Sequence, residues 1–119
     1  DDDIKEKALH SLSKIPVETK LCHFDFHFSN IMYDGTQYHI LDWVNAKLAN
    51  PILDIVRTYI ILKQYAMRMA DKYLRLSAEN MNIPVTQFKQ AIPIMAALRM
   101  LEADGKHFYE PLLKLINEN

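Results

Sequence analysis

Apolar positions recur along this chain with two periods, one helical and one strand-like. From Asp3 onward Ile4, Ala8 and Leu12 fall on one helical face, and Asp3 and Glu6 have the spacing of a capping box, which predicts a first helix to about Ser13, ended by Pro16. Leu21 and Cys22 lead into a polar loop. The apolar residues Ile31, Tyr33, Tyr38, Ile40 and Leu41 then flank Asp34-Gly35-Thr36, a strong hairpin signal in which Gly35 can take positive φ.

Beyond the hairpin the period becomes helical to the end. Asn50-Pro51 opens a helix whose Ile52, Ile55, Val56, Tyr59 and Ile60 should be central to the core. A second amphipathic segment, residues 66–80, carries Met67, Ala70, Tyr73 and Leu74 on one side, and residues 82–86 read as a turn around Pro84. Phe88, Ala91, Ile92, Met95, Leu98 and Leu101 continue the pattern through Pro93, which should kink or divide that helix before Gly105 stops it. Pro111 fits the first turn of a last helix bearing Leu112, Leu115 and Ile116. Met67, Met69, Met81, Met95 and Met100 read as core filling, as do Cys22 and Trp43. The expected fold class is α+β and mostly helical, one domain over residues 1–119, with no repeat, low-complexity tract or linker.

Composition narrows the function classes. A chain of 119 residues, half of them hydrophobic, can bury a core. Its net charge of −1 lacks the basic excess of a nucleic-acid surface or a polybasic membrane patch. The longest apolar stretch, residues 52–62, is interrupted by Asp54 and Arg57, so no transmembrane helix is expected. Cys22 is the only cysteine, which excludes an intrachain disulfide; with an acidic start and no apolar leader, the expected location is cytoplasmic.

The chemistry is concentrated in His23-Phe24-Asp25-Phe26-His27-Phe28-Ser29-Asn30, followed after the hairpin by Ile40-Leu41-Asp42-Trp43. Asp, four residues, Asn, hairpin, Asp is the order in which kinases set a general base and two magnesium ligands around a transferred phosphoryl group. Such transfer needs an acceptor hydroxyl held in line and phosphate charge neutralised. Asp25 at the loop apex suits the base, and the amide oxygen of Asn30 and the carboxylate of Asp42 suit a hard cation.

Together with Leu21-Cys22 before it and Asn50-Pro51-Ile52-Leu53-Asp54-Ile55 after it, this string resembles the aminoglycoside phosphotransferase family, which in its catalytic loop is similar to choline kinases and protein kinases. The resemblance implies Asp25 as catalytic base, Asn30 and Asp42 as magnesium ligands, His23 as a buried brace, and Asp54 as a partner of the loop backbone. It implies a kinase-like C-terminal lobe in which a small catalytic-loop hairpin packs on a helical bundle. The activity implied is ATP-dependent, Mg²⁺-requiring phosphoryl transfer to a small-molecule hydroxyl. The family usually has Gly after the first His and Pro or Gly after the second, where this chain has Phe24 and Phe28.

The ATP-gripping glycine-rich loop and strand lysine of a kinase precede the catalytic loop. Only 22 residues precede His23, and neither Gly35 nor Gly105 lies in a phosphate-cradling pattern. The expectation is a fragment without its N-terminal nucleotide-binding lobe, inactive alone, whose uncovered apolar face pairs with the missing lobe or with another copy of the chain as a homodimer. Glu102 and Asp104 lie in the helical part where the family builds its acceptor site; they leave the acceptor open.

Two other readings compete. His23, Asp25 and His27 alternate, and on an extended strand they would share a face, as in a zinc-dependent hydrolase. That reading lacks a fourth ligand and leaves Asn30 and Asp42 unexplained. The other is a non-catalytic helical remnant that self-associates. His27 is expected to brace the loop, and His39 and His107 carry no assignment.

Overall fold

The computed structural model describes residues 1–102 and 107–118. Among the described residues six helices and four short strands follow in order: α1 (Asp2–Ser13), β1 (Lys20–Cys22), a 3-10 turn (Phe28–Asn30), β2 (Ile31–Tyr33), β3 (Tyr38–Ile40), β4 (Lys47–Ala49), α2 (Pro51–Tyr65), α3 (Met67–Met81), α4 (Val85–Lys89), α5 (Ile92–Met100) and α6 (Tyr109–Glu118). The fold is α+β and mostly helical.

Local chemistry explains most boundaries. The N-cap of α1 is Asp1, whose side chain accepts from the backbone N–H groups of Asp3 and Ile4; the capping box expected at Asp3 is therefore two residues too late. Asn50 caps α2 by accepting from Ile52 N–H at 2.9 Å and donates its amide to the Pro16 carbonyl at 3.0 Å, so one buried side chain starts the central helix and pins the segment after α1. Ala66, at φ −150° and ψ 58°, separates α2 from α3, and Asn82 at φ 54° closes α3 in the left-handed conformation common at helix ends. The kink or division expected at Pro93 is a division: α4 ends at Lys89, and Pro93 lies in the first turn of α5, where its missing N–H costs nothing. Ser11 of α1 repairs this break by donating to the Gln90 carbonyl at 2.6 Å and accepting from Ile94 N–H at 3.2 Å.

One apolar cluster joins the helices. Val56 and Ile60 of α2, Leu74 of α3, Phe88 of α4, Ile92 of α5 and Leu112 and Ile116 of α6 are fully buried within it. Each contributes about 1.5–3 kcal/mol of burial free energy. Exposed pairs such as Asp3 with Lys7 add at most about 0.5 kcal/mol, so packing holds the bundle.

Several expected core positions lie outside it. Met67 and Met69 stand at the start of α3 and are exposed, as are Leu98 and Leu101. Trp43 is exposed too, resting edge-on against His23 at 4.6 Å between ring centres. The helix stop expected at Gly105 lies outside the described residues.

The strands form two antiparallel pairs rather than the single hairpin expected. In β2–β3, Ile31 faces Ile40 and Tyr33 faces Tyr38; Gly35 takes φ 97° in the turn, where Asp34 accepts from the N–H groups of Thr36 and Gln37. Every residue of β3 is exposed, and of β2 only Ile31 is partly covered, so this hairpin stands away from the bundle on which it was expected to pack. The second pair, β1–β4, runs Cys22 opposite Lys47, and its buried Cys22 and half-buried Ala49 attach it to the core. Burial, with the charge of Asp54 behind it, pushes the Cys22 thiol up, so this residue is a small apolar filler.

Candidate active site

The loop between β1 and the 3-10 turn is held from beneath by one face of α2. Asp54 accepts from the N–H of His23 at 2.8 Å and of Phe24 at 2.9 Å, using both carboxylate oxygens. Thr58, one turn later, donates its hydroxyl to the Phe26 carbonyl at 2.7 Å. Arg57 lies between them on the same face, its Nη2 3.5 Å from Asp25 Oδ1. Residues three and four apart share a helix face, so three consecutive stretches of the loop are tied to one rigid element.

Phe24 shows why a glycine commonly stands at such a place. Its φ is 62°, in the left-handed region that costs a side-chain-bearing residue about 1–2 kcal/mol. The two bonds from Asp54 and the burial of the ring hold it there. Asp42 also takes positive φ, at 56°.

His23 is buried and both its ring nitrogens are engaged. Nδ1 accepts from Asp25 N–H at 3.0 Å, and Nε2 lies 2.7 Å from the Leu41 carbonyl. A carbonyl can only accept, so the proton sits on Nε2 and the ring is a fixed brace. The zinc reading therefore fails at His23, and residues 23–27 form a loop rather than the strand it required. Among the described residues no group of three His, Cys, Asp or Glu is placed to hold a metal.

Asn30 is buried against the apex. Its NH₂ donates to the Asp25 carbonyl at 2.7 Å and to Asp25 Oδ2 at 3.2 Å. His27 Nε2 approaches Asp25 Oδ1 at 3.1 Å, closer than its 3.4 Å from the Asn30 amide, so it donates to the carboxylate. Asp25 and Asn30 are thus in direct contact. The segment leading to Asp42 is joined to them through Leu41, whose N–H donates to the Asn30 carbonyl at 2.7 Å and whose carbonyl meets His23. Because the Asn30 nitrogen is committed to Asp25, a cation would meet its amide oxygen. Asp42 is exposed, and its link to this group runs through the backbone of Leu41.

Sequence reasoning did not single out the ion network behind Asp25. Arg57 makes a two-pronged contact with Glu102, Nη2 to Oε2 at 3.0 Å and Nη1 to Oε1 closer still. Arg99 donates to Glu102 at 2.9 Å and to Gln64 at 2.9 Å. Burial acts to raise the Glu102 carboxyl, but its bonds with Arg57 and the charges of both arginines outweigh this and hold it below the usual range. Burial likewise acts to lower Arg57, and Glu102 and Asp25 together raise it instead. Glu102, noted from sequence as a possible acceptor contact, is occupied by two arginines; Asp104 lies outside the described residues. The signal for Arg57 was its place three residues after Asp54.

A cleft of about 430 Å³ opens on this group, walled by Asp25, His27, Ser29, Arg57, Tyr65 and Arg99. No helix among the described residues is long and apolar enough to cross a membrane. No curated protein and no solved structure matches the chain. A family model described as the phosphotransferase enzyme family matches residues 3–84, a span that holds the loop, the hairpin, Asp42 and the Asp54 face of α2. Matched over more than half its length, the chain belongs to the phosphotransferase enzyme family.

Proposed function

We propose that this chain serves ATP-dependent transfer of a phosphoryl group to the hydroxyl of a small molecule, as the C-terminal lobe of a kinase-like enzyme. The observation that carries this reading is the fixation of Asp25. Its backbone is held by His23 and Asn30, its carboxylate is met by His27, Asn30 and Arg57, and it lines an open cleft. A base positioned before the acceptor arrives contributes through orientation.

In this reading Asp25 accepts the acceptor's proton, and Asn30 and Asp42 hold magnesium, which supplies neutralisation of phosphate charge when bound. His23 and Asp54 keep the loop in shape, and Arg57 sets the direction of the Asp25 carboxylate. ATP is gripped by a separate nucleotide-binding lobe. The exposed Tyr33, Tyr38, Ile40, Trp43 and Val44 support a surface that this lobe, or another copy of the chain, covers.

The test joins this chain to a nucleotide-binding lobe of the family and follows phosphate-ester formation by phosphorus NMR with magnesium, ATP and hydroxyl compounds. Asp25→Asn should lower the rate by about 10²–10⁴-fold. An unchanged rate removes Asp25 from the mechanism.

A further inference from the structure

A second cavity lies beside the cleft that Asp25 lines. It encloses about 670 Å³, within the range that holds a small organic ligand, and shares Arg57 and Glu102 with that cleft as a common wall. Leu12 of α1, Phe24 of the loop, Leu53 of α2 and Ile94, Met95 and Leu98 of α5 line it. Among the described residues its charged side chains are two cations, Lys47 and Arg57, against one carboxylate, Glu102. That carboxylate is bonded by Arg57 and Arg99, and Lys47 lies over the Phe24 ring at 5.0 Å.

From this we infer that the cavity is the acceptor pocket and that the acceptor is an alcohol with an apolar body rather than a polycationic sugar. The inference rests on the phosphotransferase reading of Asp25. A polycation would meet two positive side chains and displace Arg57 and Arg99 to reach the one carboxylate. An apolar body instead removes the Leu, Ile, Met and Phe side chains from water, which favours binding in proportion to the area covered. Seated there, it lies against the Arg57–Glu102 pair, whose other side faces the cleft that Asp25 lines. Phe24 thereby acquires a second role: the residue that bears the left-handed turn also forms the pocket's side next to the base.

The experiment is methyl NMR of the intact chain with phenylpropanol and, separately, the aminoglycoside kanamycin, each with and without Mn²⁺ as a paramagnetic stand-in for magnesium. Phenylpropanol should give saturable shifts of the Leu53, Met95 and Leu98 methyl signals, and kanamycin none. Leu98→Trp should weaken that binding by at least about tenfold. Leu98 is 45% exposed, so the larger ring is tolerated, and Leu12→Trp, at a site 41% exposed, is the independent second variant. With Mn²⁺ bound, the carbinol protons should relax faster than the ring protons.

The proposal is overturned if kanamycin shifts these methyls at lower concentration, if neither compound does, or if phenylpropanol binds both variants as well as the wild type. It is equally overturned if the signals move with protein concentration alone, which would give the cavity to a second copy. Mn²⁺ broadening of the methyl signals of Ile31 and Leu41, the neighbours of Asn30 and Asp42, without alcohol binding rejects the acceptor class and leaves the phosphotransferase reading standing. Alcohol binding without that broadening rejects the phosphotransferase reading itself, and the acceptor assignment with it.

Discussion

Arg57 stands one helical turn beyond Asp54, and the two divide the work on a single loop: Asp54 bonds the backbone of His23 and Phe24, while the Arg57 guanidinium lies 3.5 Å from the Asp25 carboxylate. Arg57 is in turn fixed by Glu102. Its side chain is only 12% exposed, against 37% for Glu102. Arg57→Met should therefore cost about 2 kcal/mol, below the figure for a fully buried pair because water screens the glutamate. Arg57→Met with Glu102→Met should recover part of the loss, since no charge is then left without its partner. Urea denaturation of the single and double variants measures both.

Asp54→Ala leaves the N–H groups of two buried residues without their anionic acceptor. The expected loss is about 2–4 kcal/mol. Asp54→Asn should recover some of it, because one amide oxygen can still accept but the NH₂ group cannot. Equal stability of Asp54→Ala and wild type in chemical denaturation would show that the loop holds its shape without α2.

The positive φ of Phe24 makes an unusual ranking. Both Phe24→Ala and Phe24→Gly lose the buried ring and should be less stable than wild type. At most helix or strand positions alanine is the better of the two; here glycine should exceed alanine by about 1 kcal/mol, because only alanine still bears the left-handed cost. Thermal or urea unfolding of the pair decides it, and alanine coming out more stable would contradict the backbone conformation.

Glu102 gives a dependence on acid. Its carboxyl is held below the ordinary 4.5 in the folded chain, so its contribution to stability is complete above that value and disappears as pH falls through the lower folded one. Asp34, lowered by its bonds with His39 and with the Gln37 and Thr36 N–H groups, adds a dependence of the same sign. The difference between wild type and Glu102→Gln therefore isolates the glutamate: it should be largest near neutrality and shrink below pH 4.5. A difference that stays constant through this window would mean that Glu102 gains nothing from its arginines.

The parts legible from sequence are those whose causes are local. Asn50-Pro51 marked the start of α2 because cap and first-turn proline act on adjacent residues, and Asp34-Gly35 marked the hairpin turn for the same reason. Asp25 and Asn30, five residues apart, are in contact, Asp54 bonds the loop backbone, and Asp42 is tied to them only through the Leu41 backbone. Contacts between distant segments were not legible. β1 and β4 pair across the whole loop and hairpin, and Arg57 of α2 meets Glu102, which lies just past the end of α5. Exposure also escaped the periodicity. Met67 and Leu98 have the right spacing for a core face, but Met67 is 68% exposed and Leu98 faces a cavity rather than packed side chains.

All four strands among the described residues belong to two-stranded sheets, so each has one side with no neighbouring strand, although on β3 the Ile40 carbonyl accepts from the Trp43 indole N–H at 2.9 Å. In β3 that bare side coincides with outward Tyr38 and Ile40. An extended segment laid along it would gain a ladder of amide bonds and an apolar seat together, by the geometry of β-augmentation. The hairpin is thus one place open to templated growth, and a lysine at position 40 would blunt it while leaving the helices untouched.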